Sequence, residues 1–288
     1  MDPMIFLEFS NELTQMKMFP YFDTAHFIVT CLYLRDDLST GHHAFSRKHP
    51  FACWISCMFA AFAGNILSGF LLGEPIMDAF KSTNHVILGT AVWYLIFYSP
   101  FDIVYKICKF LPLKIAISIM KEVIRCKKIN DGVGHASHLY PNSFLIMIII
   151  GTVKGNGASL VKVIERCLRG VWTPNAIEFL QPSFATKASI GASIIFILDK
   201  KTDWISAPHS LVYLGIVIFF VYFKLSSMLL GIHDPFLPFE NLFCALFFGG
   251  IWDTIANFIN ARNSGENGVS KVDLNARNGK SEINKKKD

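Results

Sequence analysis

Seven apolar runs, each about the length needed to cross a bilayer, organise this chain. They fall at roughly 18–34, 50–73, 84–105, 112–131, 142–165, 183–199 and 208–230. A hydrocarbon core ~30 Å thick takes about 20 apolar helical residues to cross. Pro20, Pro50, Pro112, Pro141, Pro182 and Pro208 stand at or near the starts of these runs, where a helix tolerates a missing N–H. The pattern predicts an all-α membrane protein with seven transmembrane helices. Composition agrees, because 52% of the 288 residues are hydrophobic and only 17% are charged.

A further apolar stretch, 235–258, is interrupted by Pro235 and Pro238 and carries Glu240 and Asp253. It reads as an interfacial or docked segment and completes a transmembrane domain spanning 1–259. Residues 260–288 hold seven Lys or Arg and almost no large apolar residue. Such a segment buries too little surface to offset its chain entropy and reads as a disordered basic tail.

Several function classes are excluded. The seven cysteines are scattered, with no C-x-x-C, so neither a disulfide framework nor a zinc site is expected. The acidic N-terminus lacks the charge pattern of a cleaved signal. Gly155-Asn156-Gly157 lacks the third glycine and the preceding strand of a dinucleotide fingerprint. His135 and His138 alone make no metal site. No nucleophile, base or paired-carboxylate arrangement stands out, so no enzyme activity, cofactor, metal or nucleic-acid partner is expected.

Within the fourth run, Lys114, Lys121, Arg125 and Lys128 fall at offsets of 0, 7, 11 and 14, a single stripe at helical spacing. Each cation at a helix centre costs about 2.5–3.5 kcal/mol to insert against lipid, so the stripe costs on the order of 8 kcal/mol. Lys121 and Arg125 also repel as an i,i+4 pair, and Glu122 lies off the stripe. The helix therefore needs a polyanion or a water-filled cavity on one face. A phosphate headgroup site, a voltage sensor and a snorkelling interfacial face each satisfy that need.

The second and fifth runs are both glycine-rich in their middles, with Gly64, Ser68 and Gly69 in one and Gly151, Gly155 and Gly157 in the other. Each is second in a group of three runs, and three crossings per group invert the second group relative to the first. Paired interrupted helices in inverted halves point to a midplane conduction or binding site. Close helix packing is the plainer reading of the same glycines. Lys154 sits among them, too deep to snorkel. Charged and hydrated, it would gate or tune a pore; otherwise it pairs with Asp102 or Asp23. Pro100 is expected to kink the third helix and free a carbonyl.

Loops one, three and five carry ten basic residues, whereas the N-terminal segment and the even loops carry six. The positive-inside bias then places the C-terminal tail in the cytosol and the N-terminus in the lumen.

These stretches resemble the trimeric intracellular cation channel family. "KEVIRCKK" at 121–128 is similar to its KEVxRxxK motif. "SRKHPFACW" (46–54), "LLGEPIMD" (71–78), "AVWYLIFYSPFDIVYK" (91–106), "GTVKGNGASL" (151–160), "LRGVW" (168–172) and "FATKAS" (184–189) follow in the family's order. The likeness covers nearly all of 18–230 and looks nearest to an invertebrate B-type member. It implies a homotrimer with one ion pathway per protomer. Two inverted three-helix repeats, about 18–105 and 112–199, would form that pathway, with broken second and fifth helices lining it and a seventh helix, 208–230, following. It implies a channel of the endoplasmic or sarcoplasmic reticulum that conducts potassium, and less readily sodium, as countercurrent for calcium release. It also implies phosphatidylinositol 4,5-bisphosphate held by Lys121, Arg125 and Lys128. Gly64, Ser68, Gly69, Gly151, Lys154, Gly155 and Gly157 are then the expected pore or gating positions. A secondary transporter built on inverted repeats and a non-conducting lipid-binding scaffold are the alternatives.

Overall fold

The computed structural model describes residues 3–38, 42–172, 178, 180–202, 204–231, 234 and 236–248. All seven apolar runs carry helices: α2 (Tyr21–Asp37), α4 (Pro50–Leu72), α5 (Thr83–Tyr98), α7 (Leu111–Leu139), α8 (Phe144–Leu160), α10 (Phe184–Lys201) and α11 (His209–Leu230). Before them lies α1 (Pro3–Gln15), and between them lie α3 (His42–Lys48), α6 (Ile103–Lys109) and α9 (Lys162–Leu168). No strand occurs among the described residues. Pro50 sits in the first turn of α4, and Gly73 ends that helix with φ 74°, its N–H returning to the carbonyls of Gly69 and Phe70.

Three helical stretches are long and apolar enough to cross a bilayer alone: Pro50–Leu72, Phe144–Leu168 and His209–Leu230. The third run meets that test only as a pair of helices bent by 92°. This corrects the expectation of one kinked helix over 84–105. The chain ends α5 at Tyr98, passes through Phe101 and Asp102 at φ 54° and 56°, and restarts as α6. Pro100 has no N–H, so the Ile96 carbonyl four residues earlier loses its helical donor. The buried Arg35 guanidinium from α2 donates to that carbonyl and pairs with Asp102 at 2.7 Å. Tyr105 covers it, with the guanidinium carbon 4.0 Å from the ring centre. Asp102 is thus engaged by Arg35, away from Lys154.

The helices fall into two trios, α2/α4/α5 and α7/α8/α10. In each trio all three helices touch one another, and across the trios α2 packs on α7 and α4 on α8. Each trio has its own apolar core. One gathers Cys31, Cys53, Cys57 and Ile96; the other gathers Ile129, Met147, Ile150 and Phe196, extended by Tyr213 and Phe220 of α11 and Leu13 of α1. Five of the seven cysteines are buried as free thiols. The N-terminal helix α1, unforeseen in the sequence, packs on α11.

Residues 1–233 form one compact unit and 234–288 another. In the second unit, α12 (Leu237–Phe247) buries none of its residues. At 1.5 Å per residue it is roughly 17 Å long, too short to cross a bilayer core alone. The basic tail, 260–288, lies outside the described residues.

Candidate functional site

The cationic stripe lies inside a helix that runs well past its expected end. α7 continues to Leu139, beyond the run that ends near 131, so Lys127 and Lys128 lie in its interior. Lys121, Arg125 and Lys128 line a cavity of about 180 Å³. Lys154 and Lys162 join them from α8 and α9, whereas Lys114 is exposed and absent from the lining. The acidic groups nearby are already engaged. Glu122, buried in α7, accepts a hydrogen bond from Arg125 Nη1 at 2.5 Å. Glu165 accepts two from Arg169, at 2.6 and 2.7 Å. The cavity wall is therefore strongly electropositive, and it suits an anion of several charges.

A second cavity, about 260 Å³, opens against the first. His26, Ala61, Ile124, Lys128 and Lys154 line both and form the wall between them. His26 Nε2 lies 3.0 Å from the Ala61 carbonyl and 3.1 Å from Lys128 Nζ. A ring nitrogen donates or accepts but not both, so a neutral His26 serves one of these partners at a time. Lys154 has no ion-pair or side-chain hydrogen-bond partner among the described residues. The second cavity also holds Asp23, whose Oδ2 is 3.3 Å from His85 Nε2.

Glycines bring α4 and α8 together beside this wall. A Cβ on Gly64 would stand 2.7 Å from the Lys154 carbonyl oxygen, and a Cβ on Gly157 would strike the backbone of Gly64. A Cβ on Gly155 would overlap the Ile129 side chain, and one on Gly151 would meet Ser193 Oγ at 2.5 Å. Close packing therefore accounts for these four positions. Gly64, Gly155 and Gly157 line the first cavity as well; Gly151 does not. Gly69 has open space around it, and Ser68 is buried, donating to the Asn65 carbonyl at 3.1 Å. Neither lines either of these two cavities.

The expectation of two broken helices needs correction. α4 runs unbroken from Pro50 to Leu72, because its glycines keep helical geometry and serve contacts. α8 alone departs, at Asn156, with φ −133° and ψ 26°. The Asn156 amide donates to Thr186 Oγ1 at 2.6 Å, and that hydroxyl donates to Glu178 Oε1 at 2.5 Å. Sequence reading saw the glycines and passed over the asparagine between them. A side chain that competes for backbone bonds, flanked by two glycines, was the available signal.

Asp37 accepts from both Arg166 and Arg169, and Arg169 is also bonded to the cavity-lining Glu165. Partial burial pushes the Asp37 carboxyl up, but the hydrogen bonds from the two guanidiniums outweigh it and hold it below the usual range.

The sequence of residues 39–231 matches the family model described as TRIC channel. The chain is also 48% identical over 278 residues to trimeric intracellular cation channel type 1B.1 of Caenorhabditis elegans, covering 94% of each. This chain belongs to the TRIC channel family. Trimeric intracellular cation channel type A of Gallus gallus is 40% identical over 245 residues, 85% of this chain and 82% of the relative. Among solved TRIC structures, that of a C. elegans channel without Ca2+ superposes with a TM-score of 0.76 at 48% identity, covering 81% of this chain and 100% of that one. A second, described as bearing on TRIC counter-ion channels in calcium release, superposes at 0.74 with 33% identity over 78% of this chain and 99% of that one. The helical TRIC fold is thus shared, and the similarity to the two C. elegans type 1B relatives, at 48% and 50% identity, marks an invertebrate member.

Proposed function

We propose that this chain is a potassium-permeable, sodium-tolerant channel of the endoplasmic or sarcoplasmic reticulum that supplies countercurrent during calcium release. It works as a homotrimer with an ion path inside each protomer. The observation that carries this reading is the pair of cavities meeting at Lys128, Lys154 and His26, between helices α2, α4, α7 and α8. Two chambers, each with room for several waters and sharing a wall that includes the Lys128 and Lys154 side chains, are what a closed conduit through one protomer would look like.

In this proposal all seven helices cross the membrane, as two inverted repeats followed by α11. The matching contacts within the two trios support the repeats. The tail faces the cytosol and the N-terminus the lumen.

The electropositive cavity is read as a phosphatidylinositol 4,5-bisphosphate site, with Lys121, Arg125 and Lys128 facing the headgroup. Its excess of cations over available acids supports a polyanionic occupant, which would relieve the cost of the stripe. The gating roles assigned to Gly64, Gly151, Lys154, Gly155 and Gly157 belong to the same proposal, as do those of Ser68 and Gly69.

The purified protein in a planar bilayer under a potassium chloride gradient tests the reading. Unitary currents reversing near the potassium potential, and dependent on added phosphatidylinositol 4,5-bisphosphate, are expected. Slow coupled uptake into vesicles without unitary current would replace the channel by a transporter.

A further inference from the structure

We infer that Asp23 is the carboxylate that makes this conduit prefer cations, and that His85 holds it in place. The inference rests on the channel reading. The two cavities differ in a way that forces the question. The first is lined by five cations and a single acid, Glu165, which is bonded to Arg169. A potassium ion would be repelled there unless an anionic ligand filled it. The second cavity holds Lys127, Lys128 and Lys154 but also Asp23 and Asp131. A cation-conducting path replaces part of the ion's water with carbonyl oxygens or with a carboxylate, and a carboxylate also offsets nearby lysines.

Of those two acids, Asp131 is exposed at the cavity's edge, whereas the Asp23 side chain is only 12% exposed and sits on α2 one turn before His26. It thus lies next to the shared wall, on the side away from the electropositive chamber. Its orientation is fixed by a relay. Ser82 Oγ lies 2.6 Å from His85 Nδ1, and His85 Nε2 lies 3.3 Å from Asp23 Oδ2. With the serine hydroxyl donating to Nδ1, a neutral imidazole carries its proton on Nε2 and points it at the carboxylate. The Nε2–H then orients the Asp23 carboxylate, which shares its cavity with Lys127, Lys128 and Lys154. Asp102, the other acid considered from the sequence, is taken by Arg35 and lines neither cavity.

A unit charge about 6 Å from a passing ion, at an effective dielectric of about 40 to 80, changes ion occupancy roughly threefold to tenfold. The test is the ratio of potassium to chloride permeability, read from reversal potentials of the full-length protein in a potassium chloride gradient with phosphatidylinositol 4,5-bisphosphate present. Asp23→Asn should lower that ratio at least about threefold, and Asp23→Glu should keep it near the unsubstituted value. Asn65→Lys, at an exposed position lining the same cavity, leaves Asp23 intact and opposes it with a cation. It should lower the ratio by a similar factor, and it decides alone if Asp23→Asn does not assemble. Cation-selective current in the unsubstituted protein with unchanged ratios in the substituted ones overturns the assignment to Asp23. No cation-selective current in the unsubstituted protein overturns the channel reading itself.

Discussion

The same substitution, glycine to alanine, should have opposite effects at two positions five residues apart on α4. At Gly69 nothing lies within 4 Å of a new Cβ. Alanine there removes backbone freedom from the unfolded chain and should stabilise by up to about 1 kcal/mol. At Gly64 the new Cβ would meet the Lys154 carbonyl oxygen at 2.7 Å, with that residue's carbonyl carbon and Cα at 3.3 Å. These are backbone atoms of α8, so no rotamer change relieves the clash, and the crossing of α4 and α8 must open by several tenths of an ångström. Overpacking costs typically run about 1–3 kcal/mol. Setting the upper part of that range against the propensity gain leaves Gly64→Ala destabilised by roughly 1–2 kcal/mol. Thermal melting of detergent-purified protein, followed as loss of the monodisperse size-exclusion peak, reads both changes. Gly64→Ala should melt several degrees below the unsubstituted protein and Gly69→Ala at or slightly above it. Equal melting of the two would refute the packing argument.

Replacing Lys121 and Arg125 together with alanine removes two charge-assisted contacts of about 1.5–3 kcal/mol each, so phosphoinositide binding should weaken by on the order of 100-fold or more; mass spectrometry of co-purified lipid showing full retention would displace the site. Arg35→Met should destabilise by about 3–5 kcal/mol, since it removes the guanidinium that pairs with Asp102 and donates to the Ile96 carbonyl; adding Asp102→Asn should recover part of the loss in a double-mutant cycle of melting temperatures. The Asp37 carboxyl, held low by Arg166 and Arg169, contributes stability that is complete above the ordinary carboxylate value near 3.9 and is lost as pH falls through its lower folded value. Melting should therefore show no Asp37-linked change between neutral pH and about pH 5, then an acid limb that Asp37→Asn makes shallower.

The positions of the seven long helices were legible because hydrophobic run length and proline placement are local signals. The grouping of Lys121, Arg125 and Lys128 on one cavity was legible for a similar reason, since helical spacing alone puts them on one face. Other features depend on partners distant in sequence. α1, with 13 residues, is too short to announce itself as a span, and its Leu13 is buried in the core that α11 helps to build. The fate of Asp102 turns on Arg35, 67 residues away, and on a carbonyl freed by Pro100. The run of glycines in α4 carried the same sequence signal as that in α8. Which helix breaks was decided by Asn156 and its bond to Thr186, a contact no local pattern encodes. The end of α7 was missed for a simpler cause, since polar residues end an apolar run near 131 without ending the helix, which continues to Leu139.

Gly64 and Gly157 leave each other no room for a side chain, backbone facing backbone across the junction of the two trios. Most packing faults can be repaired by a second change, with a large residue traded for a small one opposite. Here there is nothing smaller to trade, so a substitution on either side has no local suppressor. The junction is thus fixed by an absence on each side, and a reverse change at the same site is the direct repair.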